Sequence, residues 1–120
     1  MKASEIIAAD AEKMGVDPNK ALAFVSSVIS QKTGLLLQKN DSVLLLKRIP
    51  GNNAELHLFS LDRPMTLVKS LKYFIDVVKK SDLRAVYGKT SNPQILELLI
   101  TLGFPVQESD NQQYNWMAFI

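Results

Sequence analysis

Between Asp62 and Lys80 the apolar residues Leu67, Val68, Leu71, Phe74, Ile75 and Val78 recur at steps of one or three. That spacing puts them on one face of an α-helix and leaves Lys69, Lys72, Asp76, Lys79 and Lys80 on the other. Asp62-Arg63-Pro64 supplies the start, because proline fits the first helical position. On either side lie short segments of strand character. Glu55-Leu56-His57-Leu58 alternates polar and apolar, and Leu83 to Tyr87 is a short run ended by Gly88. A helix that joins two strands of one sheet is a crossover, so these strands are expected to be near-parallel neighbours with a right-handed connection, splayed at one end. Each large apolar side chain that the helix buries contributes about 1.5–3 kcal/mol, which makes residues 64–80 the expected organiser of the core.

The rest of the chain is read around that unit. Ala3, Ile6, Ile7, Ala11 and Met14 form a helical stripe that Gly15 stops. Asp17-Pro18 opens a second helix, to about Gln31, with Ala21, Leu22, Val25, Val28 and Ile29 as its apolar set. Leu35-Leu36-Leu37 and Val43-Leu44-Leu45-Leu46 are strands separated by a turn at Asn40-Asp41, and Pro50-Gly51-Asn52-Asn53 turns into the strand around Leu56. Residues 34–60 are thus expected to be a three-stranded antiparallel meander. Asn92-Pro93 starts a late helix, apolar nearly all round and so expected to be well covered, which Gly103 caps. Phe104 to Glu108 and Tyr114 to Phe119 read as closing strands, with Asp110-Asn111 in their turn. The order α-α-β-β-β-α-β-α-β-β over residues 1–120 predicts a single α+β domain with a mixed central β-sheet flanked by helices.

Composition removes several functions. The chain has no cysteine, so disulfides, thiolate metal sites and a cysteine nucleophile are excluded. It has one histidine, His57, so sites that need two are excluded as well. No apolar run approaches the ~20 residues of a membrane span. Glu5, Asp10 and Glu12 make the start unlike a secretory signal, and a cytoplasmic location is the expectation. The net charge is +2, but residues 62–89 hold seven bases and three acids, whereas residues 90–120 hold Glu97, Glu108 and Asp110 and no base. These bases read as a solvated face or as a surface for an anionic ligand. Aromatic residues are not interleaved with them, so a nucleic-acid partner has little support.

The element order and the stretch Asn92-Pro93-Gln94-Ile95-Leu96-Glu97-Leu98-Leu99-Ile100-Thr101-Leu102-Gly103-Phe104 resemble the GNAT family of N-acetyltransferases. Asn92, Leu98, Gly103 and Phe104 match that family's pattern in identity and spacing, and Ile95 matches it loosely. The resemblance implies a GNAT-like fold and acetyl-CoA as the family's cofactor. It also exposes departures. The family usually has a strand before its first helix, and here only Met1 and Lys2 precede it. The family's pyrophosphate loop is glycine-rich and opens the main helix, where exposed N–H groups meet the anion. The corresponding residues here, Leu61 to Val68, contain no glycine, include Pro64 without an N–H, and carry Asp62, which repels a phosphate. Arg63, Thr66 and Asn92 are the candidate cofactor-binding residues that remain. The tyrosine that serves as general acid in many members is Leu99 here, which transfers no proton. Glu55 and His57, on one face of the strand lining the family's cleft, are the candidate bases, and Tyr87 is a candidate acid. Small GNAT-like proteins with eroded cofactor sites occur in tailed bacteriophages, and the layout after residue 60 resembles that group.

The expectation is therefore a non-catalytic GNAT-like accessory protein that uses no cofactor, phage-encoded and associated with the virion or its assembly, in host cytoplasm or virion. A divergent acetyl-CoA-dependent N-acetyltransferase is the alternative, and a basic-faced nucleic-acid-binding module the third reading. The strand Tyr114 to Ile120 is apolar on both faces. Tyr114, Trp116 and Phe119 are the candidate residues for contact with a protein partner or a second copy, against the reading in which helices cover both faces.

Overall fold

The computed structural model describes residues 1–90, 92–109 and 111–120. The expected turn residue Asp110 lies outside the described residues. Four helices and six strands follow in the order α1 (Ala3–Lys13), α2 (Pro18–Ser30), β1 (Gly34–Lys39), β2 (Ser42–Ile49), β3 (Asn53–Ser60), α3 (Pro64–Lys79), β4 (Ala85–Gly88), α4 (Pro93–Thr101), β5 (Val106–Glu108) and β6 (Trp116–Phe119). All six strands share one sheet in the order β1-β2-β3-β4-β6-β5. Every neighbouring pair is antiparallel except β3 and β4, which are parallel and joined through α3. The α+β class and the mixed sheet are as the residue pattern predicts.

Local chemistry sets the helix ends. The Asp17 carboxylate accepts from the Asn19 N–H ahead of α2, and the Asn92 side chain accepts from the Gln94 N–H ahead of α4. Gly103 ends α4 with φ +86°, a conformation that costs glycine little.

Two apolar layers lie on opposite faces of the sheet. Alternation along β2 sends Val43 and Leu45 to one face, where they meet Ile6, Ile7, Val25 and Val28 of α1 and α2. Leu44 and Leu46 go to the other, with Leu71, Phe74 and Val78 of α3, Leu99 of α4 and Trp116. The unbroken apolar run in β2 is the mark of a strand buried on both sides. Trp116 and Ala118 are buried in the α3/α4 layer, and a Cβ on Gly88 would collide with the Trp116 indole. Glycine at 88 is therefore what lets the ring lie against the backbone of β4.

The boundaries differ from the residue pattern in three places. β4 begins at Ala85, with Leu83 buried in the preceding turn. β5 begins at Val106, after Pro105, which has no N–H to give a ladder. β6 begins at Trp116, and Tyr114 leaves the sheet to reach Glu55. The expected full cover of α4 is also corrected. This nine-residue helix packs by one face, and Ile100 is 56% exposed.

Candidate binding cleft

The parallel pair is the feature that shapes a site. β3 pairs with β4 over three positions only, Asn53 with Ala85, Ala54 with Val86 and Glu55 with Tyr87. Beyond Glu55, β3 continues to Ser60 with β2 on one side and no strand on the other. β4 itself ends at Gly88, so the pairing stops there and β3 runs on past the end of its neighbour, which leaves a split in the sheet.

A cavity of about 300 Å³ opens at the split. Its inner wall is apolar: Leu56 and Leu58 of β3, Leu67, Leu71 and Phe74 of α3, Ile95 and Leu99 of α4, with Trp116. Its rim is polar and carries Asp10 and Lys13 from α1, Asp62 before α3, and Lys89, Thr90 and Asn92 between β4 and α4. Two acids and two bases balance one another there. Burial raises the pKa of the Asp10 carboxylate, and the nearby Ser60 backbone N–H and Lys13 pull it the other way.

The start of α3 forms one edge of this cleft. The Asp62 carboxylate is turned inward. It accepts from the Ser42 hydroxyl at 2.5 Å, the Ser70 hydroxyl at 2.7 Å and the Asp41 N–H at 3.1 Å. Ser42 and Ser70 are fully buried, so this clasp joins the β1–β2 turn to the first turns of α3. Pro64 occupies the first position of α3, and Arg63 stands exposed at the N-cap without a side-chain cap. Thr66 is half-buried, and its carbonyl lies 3.2 Å from the Ser70 hydroxyl oxygen. Asn92 caps α4 with the side chain that lines the rim. Of these three Asn92 lines the cavity and Arg63 and Thr66 do not, so they form no joint cradle. The first position of α3 is Pro64, which has no N–H, and the Asp62 carboxylate stands just before it.

A second polar cluster lies on the opposite face of β3. Glu55 is buried at 7% exposure. It accepts a 2.5 Å hydrogen bond from the Tyr114 hydroxyl and lies 3.4 Å from His57 Nε2. Tyr114 packs against Tyr87 with ring centroids 5.3 Å apart, and His57 packs edge-on against Phe24 of α2 at 5.0 Å. Burial lowers the His57 pKa, with the hydrogen bond and charge of Glu55 acting the other way. Burial and the same carboxylate push the Tyr114 pKa up. Glu55 and His57 lie on one face of β3, as alternation predicts, and Tyr87, opposite Glu55 on β4, joins them through Tyr114. Their link to Tyr114 bridges 59 positions in sequence and had no local signal.

Among the candidate contact residues, Trp116 is corrected. At 6% exposure it belongs to the chain's own core, because the even positions of β6 face α3 and α4. Tyr114 is half-buried on Glu55, and Phe119 is 58% exposed. Asn115 meets its polar needs locally: its side chain donates to the Thr90 carbonyl and accepts the Thr90 N–H.

Among the described residues no cluster of three or more His, Asp or Glu could hold a metal ion, and no helix is long and apolar enough to cross a membrane. Fold and cleft together define an α+β sheet domain with a split parallel strand pair and a cavity at the split. No protein-family model, curated protein or solved structure matches the chain.

Proposed function

We propose that this chain is a GNAT-like protein that binds a partner and does not transfer acetyl groups. The observation that carries the reading is the start of α3. An anion needs free N–H groups and a close backbone approach there, whereas Pro64 occupies the first position and the Asp62 carboxylate is held between Ser42 and Ser70. Leu99, where many family members place a proton donor, is packed in the core. The resemblance extends the reading to a phage-encoded accessory protein with a protein partner, acting in the virion or its assembly without a cofactor. Calorimetry with acetyl-CoA tests it. No binding is expected, and a dissociation constant below about 100 µM overturns it.

A divergent acetyltransferase is the second reading, favoured by Glu55. That buried carboxylate sits at the last paired position of β3, on the face opposite the cavity, with Tyr114 and His57 beside it, and is the candidate base for an amine proton. A nucleic-acid module gains less from the structure. Of the lysines on α3 and its C-cap, Lys80 pairs with Asp76 and Lys79 donates to the Gly103 carbonyl, which leaves Lys69 and Lys72 unengaged among the described residues.

A further inference from the structure

We propose that the split between β3 and β4 takes an extended peptide segment of a partner protein, which adds to the free edge of β3 and lowers two apolar side chains into the cavity. The inference rests on the binding-protein reading above and names the chemistry of the ligand.

Backbone direction supplies the first argument. N–H and C=O groups of successive strand residues point to alternate sides. The Leu61 N–H bonds to the Asp41 carbonyl on the β2 side, whereas the Asn52 carbonyl accepts from Arg84 on the β4 side. Even-numbered residues of β3 therefore direct their backbone groups toward β4. At Ser60 the Asp10 carboxylate stands close to that N–H. At Leu58 the N–H and C=O face the split, where β4 no longer runs alongside. A strand edge left in this state is a template for another chain.

The cavity supplies the second argument. The side chains of Leu56 and Leu58 line it, directly beside that edge. At about 30 Å³ per water-sized group, 300 Å³ holds roughly ten non-hydrogen atoms. Two leucine side chains at alternate positions of one strand match that size, and such positions face the same way. The rim supplies the third argument. Asp10 and Asp62 balance Lys13 and Lys89, so an uncharged chain suits the mouth better than a carboxylate or phosphate headgroup. A peptide satisfies all three conditions, because it offers amides to the edge, side chains to the cavity and no net charge to the rim.

The test uses the full chain, ¹⁵N-labelled, titrated with the capped peptide acetyl-Thr-Leu-Thr-Leu-Thr-amide and with its counterpart N-methylated at the three central residues. The expected result is a dissociation constant below about 1 mM, with the largest amide shifts at Leu56, Leu58 and Lys89. N-methylation is expected to weaken binding at least about tenfold, because it removes the donors that a strand edge needs. Leu58→Trp, which fills the cavity, is expected to weaken the unmethylated peptide similarly. Should that variant not fold, the methylated peptide on the unaltered chain decides alone. No binding at that level, equal binding of both peptides, or shifts confined to other surfaces overturns the inference. Decanoate that shifts the same amides and displaces the peptide, with the methylated form binding equally well, assigns the cavity to an amphiphile instead. Acetyl-CoA binding in the same cell overturns the non-acetylating reading, while the response to N-methylation reports separately on the peptide.

Discussion

The two halves of β3 make an instructive pair. From Asn53 to Glu55 the strand has neighbours on both sides, with Ala54 fully buried. From Leu56 to Ser60 it keeps β2 but loses β4, and every residue is half-exposed. The first half is closed by packing: Trp116 lies against Gly88, and Val86 and Ala118 fill the layer beneath α3. The second half has no strand on that side, and beside its end lies the polar clasp of Asp62 on Ser42 and Ser70. A continuous strand can thus be framework at one end and an open edge at the other, depending on where its neighbour ends.

Removing the packing should break the contrast most severely. Trp116→Ala is expected to cost about 3–5 kcal/mol, measured by urea denaturation, because it empties the layer that holds β4 to β6. A loss under about 1 kcal/mol would mean that the stitched half does not depend on that ring. Next in size is the difference in amide exchange within β3. Ala54 is expected to exchange only through large-scale opening, and Leu58 through local fluctuation, slower than a free amide by far less. Equal protection at the two sites would show that the split closes in solution.

The smallest effect concerns acid. Burial holds the folded-state pKa of His57 below 6.5, so between that lower value and 6.5 the unfolded chain binds the extra proton. Stability is therefore expected to fall as pH drops through this range. Glu55 opposes the shift through its hydrogen bond and charge, so Glu55→Gln should move the His57 midpoint lower still, as read by NMR titration. An upward move would mean that Glu55 does not contact the imidazole in solution.

Most of the architecture was legible because it is written in local periodicity. The stripe from Leu67 to Val78, the two-sided apolar run of β2 and the caps at Asp17 and Asn92 each act within a few residues. The site was legible only in part. Glu55 and His57 were found because strand alternation puts them on one face, but the tyrosine that holds Glu55 comes from a segment 59 positions away. Trp116 was misplaced for a related reason. β6 is apolar on both faces, and alternation states which residues go together without stating which set meets the helices. The cavity was invisible because it arises where pairing stops, and the alternating pattern of β3 runs on unchanged past that point.

The contact between Gly88 and Trp116 bears on how such a chain can vary through descent. A side chain at 88 and an indole at 116 compete for the same space. Neither position can drift alone: a methyl at 88 requires a smaller ring or none at 116, and a reduced 116 tolerates bulk at 88. Relatives of this chain should therefore carry the two positions as a linked pair, with glycine wherever tryptophan stands opposite. The seam between β4 and β6 would then be inherited as one unit, although its two residues lie on strands separated by α4 and β5.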